Sequence, residues 1–374
     1  MSLQTPTEAQ TAARTGVKPI DYNSSNCDTY LKNKGCIMKP HPSGIADDDK
    51  EFYQTLLQSV SDTPKGTVFD EDALEYLNLK GEWKNETGIT RMISQLVVPS
   101  AEVEMCRGKL QPLRLVESIN EPWTWSTSLN LDATLPQPKL DPSLKRLPTP
   151  QPDYAVGFSR DAFTPDQLKK LNPYLGSDTE NSGFKSSAFQ GTEDMLFPFL
   201  TSECKCFKGD LHVARKQNAH AMARSLRGVF ELFKLAKCQN ELHRKVLGFS
   251  IIHNHELVSI YAHYVVIENF QAKYYQDKIR GFLIDPSSPD KVWSSHHFVM
   301  AVYQKWAPKH LTRLCSAINK LSDPDVIMED RSTVQPTVLT QQMVSERNSI
   351  AMSHEPPLPG PPENSRSKSR KGNY

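Results

Sequence analysis

The stretch 196-LFPFLTSECKC-206 decides how this chain folds, because it begins as an apolar run and ends with two charged residues. A short, mostly apolar run of this kind is typical of a strand buried inside a sheet. Side chains alternate between the two faces of a strand, so Glu203 and Lys205 should point to the same face. The two charges are therefore either a simple ion pair at a strand end or half of a metal-dependent active site.

The composition favours a single folded core with loose ends. Only 38% of the 374 residues are hydrophobic, and there are 27 prolines. Apolar periodicity is concentrated in the middle of the chain, so we expect one domain over residues 66–324. Residues 1–65 should be mostly disordered, and residues 325–374 should form a disordered, proline-rich and basic tail. A proline-rich insertion is expected at about residues 130–151.

Cysteine usage and hydropathy point to an intracellular protein. The seven cysteines are odd in number and scattered, so they do not form a disulfide framework. No secretory leader and no apolar run long enough for a membrane span is visible, so we expect no membrane partner. The nucleus or the cytoplasm is the expected location. The formal net charge of +1 identifies no partner, and nothing in the composition indicates an oligomeric state.

The elements around the opening stretch predict an α/β (α+β) fold with a central mixed sheet. Upstream, Ile89 and Ile93 lie on the apolar stripe of a helix that should end before Pro99. "PDYAVGFS" should be a short strand, followed by a helix with Thr164 as its N-cap. Downstream we expect a long helix, a hairpin about "HNHE", and a last helix broken at Pro308.

Several of these elements carry residues suited to phosphodiester hydrolysis. Such a reaction needs a divalent metal to neutralise developing charge and to lower the pKa of the attacking water. Mg²⁺ prefers carboxylate oxygens and keeps several waters, so two or three acids suffice. The candidates are Asp153 at a strand start, Glu203 and Lys205 at a strand end, Glu86 on a helix, and Gln217 on the packed face of the long helix. For Glu86, a first-turn acid favoured by the helix dipole is the simpler alternative.

These residues carry a resemblance. Pro152-Asp153 followed by Glu203-Cys204-Lys205 resembles the motif of the PD-(D/E)XK phosphodiesterase superfamily, which has a restriction-endonuclease-like fold. The block from "NETGITRMISQLVVPSAE" through "FPFLTSECK" to "LHRKVLGFSI" also resembles a widespread, uncharacterised fungal domain related to that superfamily. The resemblance covers roughly residues 80–320. The long segments between the motifs and the cysteines beside Lys205 depart from the superfamily pattern.

The resemblance implies a mixed sheet flanked by helices, with the site at one sheet edge. It implies that Asp153, Glu203 and Glu86 would bind Mg²⁺ or Mn²⁺, that Lys205 would be the catalytic lysine, and that Gln217 would support the site. The expected activity is a metal-dependent nuclease acting on DNA or RNA.

Local charge supports a nucleic-acid partner. Between Lys205 and Lys245 there are ten lysines or arginines and three acidic residues. Such an excess is what binding to a phosphate backbone requires, although a solvated helix face has the same composition. We expect Arg215, Lys216 and Arg224 to lie nearest a bound backbone.

Other functions remain open at this stage. A zinc site could involve His253, His255, His263, His296, His297, Cys204 and Cys206, but their spacings match no zinc signature. A Cys204 nucleophile has no local sequence support, and no G-x-S-x-G motif indicates a serine hydrolase. The non-enzymatic alternative is an inactive nuclease-like module that binds nucleic acid or protein.

Overall fold

The computed structural model describes residues 19–63, 71–129, 146–179, 183–269, 271–285 and 292–323. Over these ranges the chain forms a central, mostly antiparallel sheet flanked by helices, which confirms the predicted mixed α/β class. The described part of the sheet has seven strands in the order β1-β9-β8-β7-β6-β3-β2. They are β1 (Cys36–Ile37), β2 (Leu115–Ile119), β3 (Tyr154–Phe158), β6 (Leu196–Cys204), β7 (Val246–His253), β8 (Leu257–Glu268) and β9 (Gln271–Leu283).

Two of the pairings in this sheet are parallel, β6 with β7 and β1 with β9, and the others are antiparallel. A separate two-stranded ribbon joins β4 (Ser177–Thr179) and β5 (Gly183–Lys185).

Helices cover the sheet. The described α-helices are α1 (Cys27–Asn33), α2 (Asp47–Leu57), α3 (Glu71–Gly81), α4 (Glu86–Val97), α5 (Ala101–Cys106), α6 (Pro165–Leu171), α7 (Leu211–Leu235), α8 (Ser294–Ala301) and α9 (Ala307–Asn319). A π-helical turn, Val302–Trp306, joins α8 to α9, and short 3-10 turns lie at Arg160–Ala162, Asn172–Tyr174 and Gln239–Leu242. None of the helices in the described ranges is long and apolar enough to cross a membrane.

The opening stretch forms the predicted buried strand. All nine residues of β6 are buried, and the strand runs between the antiparallel β3 and the parallel β7. A parallel neighbour requires a crossover connection, and α7 supplies it. Because β6 lies between two strands, its apolar run is enclosed by the sheet on both edges and by packed layers on both faces.

The long helix α7 packs closely on the sheet through small side chains. Ala214 and Ala221 are fully buried, and the Ser225 hydroxyl donates a hydrogen bond to the Pro198 carbonyl oxygen. A Cβ at Gly228 would overlap the carbonyl oxygen of Ala188, in the loop that packs against the helix. Close approach of the helix therefore depends on this glycine.

Other predicted elements are also present. The hydrophobic stripe of α4 is buried through Ile89 and Ile93, and α6 begins with a capping box between Thr164 and Gln167. The hairpin of β7 and β8 turns at the expected "HNHE". The last helix is interrupted by the π-helical turn Val302–Trp306, just before the predicted position, and the helix continues through Pro308, the second residue of α9.

The N-terminal region differs from the expectation of a mostly disordered segment over residues 1–65. Residues 19–63 contain α1, β1 and α2, and Cys27, Leu31 and Leu56 are fully buried against the domain. Most of the few apolar residues of this region are spaced so that they reach the core, with the exposed Val60 as an exception, and overall composition does not reveal this spacing. Residues 1–18, most of the proline-rich insertion (130–145) and the tail from 324 lie outside the described residues.

Candidate active site

The register of β3 and β6 places the two central acids opposite each other. Tyr154 pairs with Ser202 and Ala155 with Thr201, so the next step along the ladder sets Asp153 against Glu203. Directly opposed residues of an antiparallel pair share one face. The Cys204 backbone N–H donates a hydrogen bond to Asp153 Oδ2 at 2.7 Å, and this bond fixes the Asp153 carboxylate at the strand end.

Lys205 lies on the same side as Glu203, as strand alternation predicts. Its Nζ is 3.9 Å from Glu203 Oε2 and 3.5 Å from Glu86 Oε2. The Lys205 backbone N–H donates to the carbonyl oxygen of His253 in β7, at 2.9 Å, and this bond continues the sheet by one residue. Lys205 therefore bridges an acid on the sheet and an acid on a helix.

Glu86 reaches the site from the start of α4. The Asn85 side chain caps this helix by accepting a hydrogen bond from the Gly88 N–H at 2.9 Å. The Glu86 side chain is 44% exposed, so it lies at the rim and not on the buried stripe of the helix. In the first turn of the helix, the Glu86 carboxylate interacts favourably with the helix dipole. Its ion pair with Lys205 also connects it to the site.

The predicted residues line a single cavity of about 350 Å³ at the ends of β3 and β6. Glu86, Asp153, Glu203, Lys205 and Gln217 all contribute to its wall. Gln217 comes from the first half of α7, and its Oε1 is buried with no hydrogen-bond partner in the described part of the chain. An amide in this position can accept a hydrogen bond from a ligand or a site water.

The two central acids are held in an environment that disfavours their charge. Burial raises the pKa of the Glu203 carboxyl well above its ordinary value, the Asp153 charge raises it further, and Lys205 partly offsets both. Burial also raises the pKa of the Asp153 carboxyl. The hydrogen bond from the Cys204 N–H and the charge of Lys205 lower this pKa but do not cancel the effect of burial. A bound cation would relieve the unfavourable burial and the mutual repulsion of both groups.

The donor set suits a hard cation that keeps its own water. Within the described ranges no group of three or more His, Cys, Asp or Glu side chains forms a complete metal centre. Mg²⁺ is commonly bound by one or two carboxylates together with waters and substrate phosphates. Asp153 and Glu203 provide two facing carboxylates, and the adjoining cavity has room for water. This pair therefore fits Mg²⁺ or Mn²⁺.

The basic residues expected to bind phosphate have mainly internal roles. Arg224 is 1% exposed, so the expectation that it contacts a nucleic-acid backbone is wrong. Lys216 is 5% exposed, and its Nζ donates to the Tyr22 carbonyl oxygen at 3.0 Å. Arg215 donates to the Met38 carbonyl oxygen and lies over the ring of Tyr261. Nearly every residue in the middle of α7 is buried, which leaves little solvated basic face.

The histidines do not assemble into a zinc site in the described residues. His263 Nε2 lies 2.7 Å from the Ser250 hydroxyl, and His296 Nδ1 lies 2.8 Å from the Gln95 carbonyl oxygen. Each of these rings therefore has a local hydrogen-bond partner in its own part of the fold.

A nucleophilic role for Cys204 is also disfavoured. Burial raises the pKa of the Cys204 thiol to about 12, so the reactive thiolate is scarce near neutral pH.

Half of the cavity wall consists of residues that the sequence analysis does not indicate. The remaining lining residues are Tyr22, Asn120, Thr149, Pro150 and Gln151. Gln151 Nε2 donates to both Oδ1 and the backbone oxygen of Asn120, at 3.0 and 2.9 Å, which ties the end of β2 to the start of β3. Adjacency to the Pro-Asp dipeptide could have indicated Thr149 to Gln151, whereas no sequence signal indicates Tyr22.

Comparisons with known proteins identify a domain family. Neither the curated proteins nor the solved structures contain a match to this chain. A family model described as "Domain of unknown function (DUF7924)" matches residues 74–318, from α3 to the end of α9. This interval contains the sheet except for β1, and every residue of the candidate site except Tyr22. The chain belongs to the DUF7924 domain family.

Proposed function

We propose that the protein is a metal-dependent nuclease that hydrolyses phosphodiester bonds of DNA or RNA. The observation that carries this proposal is the pair of facing carboxylates, Asp153 and Glu203, beside Lys205 in one cavity. A buried Glu203 and a half-buried Asp153, both with raised pKa values, are costly to the fold, and costs of this kind concentrate at functional sites. A mixed sheet flanked by helices, with the site at the strand ends, also agrees with a restriction-endonuclease-like arrangement.

Each side chain has a role that follows from its position. Asp153 and Glu203 would hold a Mg²⁺ or Mn²⁺ ion, which supplies charge neutralisation and a water of lowered pKa. Lys205, held by Glu86 and Glu203, donates hydrogen bonds that orient the attacking water and stabilise negative charge on the phosphorus centre. Gln217 would exchange a hydrogen bond with that water or with the nucleotide, because the residue lines the cavity and its Oε1 has no hydrogen-bond partner in the described part of the chain.

The alternative of an inactive binding module has less support. Such a module would rely on the basic residues of α7. Four of them, Arg215, Lys216, Arg224 and Arg227, are buried or bound to backbone carbonyl oxygens, and the exposed Lys234 pairs with Glu231. It would have no use for the acids that surround Lys205. A nucleic acid would therefore meet this protein at the cavity, where one lysine and several neutral donors are available.

The test is cleavage of single- and double-stranded DNA and RNA with Mg²⁺ or Mn²⁺. Lys205→Ala should lower the rate by about 10²-fold or more, the usual effect of removing a group that stabilises the transition state. Lys208→Ala is the matched control, because Lys208 is exposed three residues away. Equal loss in both variants, or cleavage that persists in Lys205→Ala, would contradict the proposal. Binding without cleavage that weakens steeply with salt would favour the binding module.

A further inference from the structure

One wall of the cavity comes from a segment that precedes the family match. Tyr22 lines the cavity, and the chain around it is anchored on both sides. The Ile20 N–H donates to the Arg146 carbonyl oxygen at 2.8 Å. Lys216 on α7 binds the Tyr22 carbonyl oxygen at 3.0 Å and lies 3.5 Å from Asp28 in α1. Tyr22 is thus held at the cavity by a fixed backbone, and its hydroxyl is close enough to Glu203 for that carboxylate to raise the hydroxyl pKa.

The hydroxyl of Tyr22 is also fixed. It lies 2.8 Å from Nδ1 of His220, which is completely buried in α7. Burial, together with the charges of Arg224 and Arg227, holds the pKa of His220 well below its ordinary value, so the imidazole is neutral. Burial raises the pKa of the Tyr22 hydroxyl, which therefore stays protonated. A neutral phenol beside a neutral imidazole can donate or accept, but it does not act as a base.

The tautomer of His220 decides what Tyr22 offers to the cavity. With the proton on Nε2, the Tyr22 hydroxyl donates to Nδ1 and presents a lone pair to the cavity. With the proton on Nδ1, the imidazole donates to the Tyr22 oxygen, and the hydroxyl proton is free to point into the cavity. An anionic ligand oxygen selects the second arrangement, because it needs a donor.

The site needs such a donor. Lys205 is flanked by Glu86 and Glu203, and the nearby cations Arg215 and Lys216 are bound to backbone carbonyl oxygens of the N-terminal segment. A phosphate oxygen entering between two acids therefore requires neutral hydrogen-bond donors in addition to the metal and Lys205.

We propose that Tyr22 is a substrate-binding residue of this site, and that its hydroxyl, oriented by His220, donates a hydrogen bond to a phosphate oxygen of the bound nucleic acid. This inference rests on the proposed nuclease function. It makes the segment before the matched family domain a working part of the site.

The experiment compares Tyr22→Phe with Tyr30→Phe in the full chain. Both variants lose one phenolic hydroxyl from the same N-terminal region, but Tyr30 does not line the cavity. A hydrogen bond to a charged group contributes enough that Tyr22→Phe should lower kcat/KM by about 10- to 100-fold. Tyr30→Phe should leave kcat/KM unchanged. Both variants should be folded at the assay temperature, although Tyr22→Phe should lower the Tm, because Nδ1 of the buried His220 loses its hydrogen-bond partner.

A second measurement tells whether Tyr22 contacts the substrate or only supports the structure of the site. Oligonucleotides carrying a single neutral methylphosphonate at successive positions are cleaved by wild type and by Tyr22→Phe. At the contacted linkage the difference between the two proteins should vanish, because the charged oxygen is gone, and elsewhere it should persist. If Tyr22 only supports the structure of the site, the rate difference between wild type and Tyr22→Phe should be the same at every methylphosphonate position.

The outcomes are distinct. Cleavage by Tyr22→Phe at the wild-type rate overturns this inference and leaves the nuclease function intact. A difference that is uniform across all methylphosphonate positions also overturns it. Absence of any cleavage or oligonucleotide binding by the wild type overturns the nuclease function, and this inference with it.

Discussion

Replacement of Glu203 by glutamine should stabilise the folded protein while it removes activity. Glu203 is 2% exposed, and its carboxyl faces that of Asp153. Each unit by which folding raises a carboxyl pKa costs about 1.4 kcal/mol at a pH above the raised value. In the Glu203→Gln variant the positive charge of Lys205 still has the Glu86 carboxylate as a partner. We therefore expect Glu203→Gln to raise the free energy of unfolding by about 1–3 kcal/mol at alkaline pH.

The gain should depend on pH with a defined sign. Folded Glu203 holds its proton more tightly than the unfolded chain does, so wild-type stability falls as pH rises from the unfolded pKa towards the raised folded value. Glu203→Gln has no such proton, and its advantage should therefore grow over the same window and shrink towards acidic pH. For a domain of this size the gain corresponds to a Tm increase of about 2–10 °C.

The assay is thermal unfolding without divalent cations, followed by circular dichroism at several pH values. Glu82→Gln is the matched control, because Glu82 is exposed in the connection between α3 and α4 and should change Tm little. A destabilised Glu203→Gln protein, or a gain that is the same at every pH, would refute the reasoning that burial and repulsion dominate over attraction to Lys205.

Three further outcomes are expected. Mn²⁺ at about a hundred times its dissociation constant should stabilise the wild type by about 2.7 kcal/mol and raise its Tm. Asp153→Asn should abolish this Tm shift. An equal shift in both proteins would exclude the Asp153 carboxylate as a ligand. Gly228→Ala should lower the free energy of unfolding by about 1–3 kcal/mol in urea titrations, because its methyl group would overlap the Ala188 carbonyl oxygen; unchanged stability would show that the helix can shift. Thr164→Ala should cost about 1 kcal/mol in the same assay through loss of the capping box with Gln167, and a smaller loss in Thr164→Ser would identify the hydroxyl as the cause.

The candidate site was accessible from sequence because its geometry follows from local rules. Alternation along β6 places Glu203 beside Lys205, and the antiparallel ladder places Asp153 opposite Glu203. These are consequences of strand periodicity and pairing. They do not require knowledge of the packing around the site.

Other features of the fold depend on tertiary contacts, which leave no pattern in the local sequence. The strand β9 was not predicted because only Tyr274, Tyr275 and Gln276 in its middle are buried, so apolar alternation is weak. The basic residues of α7 were expected in solvent, but α7 is covered by the N-terminal segment as well as by the sheet. Arg224 is buried for that reason, and periodicity within the helix could not reveal it.

The short strand β1 has a consequence for how the protein is produced. It lies against the outer side of β9, pairing Cys36 with Tyr274, while α1 and α2 shield apolar surface through Leu31 and Leu56. A chain trimmed to begin at residue 74, where the family match starts, would lose this cover. The bare edge of β9 would then be open to strands of neighbouring molecules, a common route to self-association. We therefore expect a chain that starts at or before Ile20, whose N–H bonds the Arg146 carbonyl oxygen, to self-associate less than one trimmed to the recognised domain.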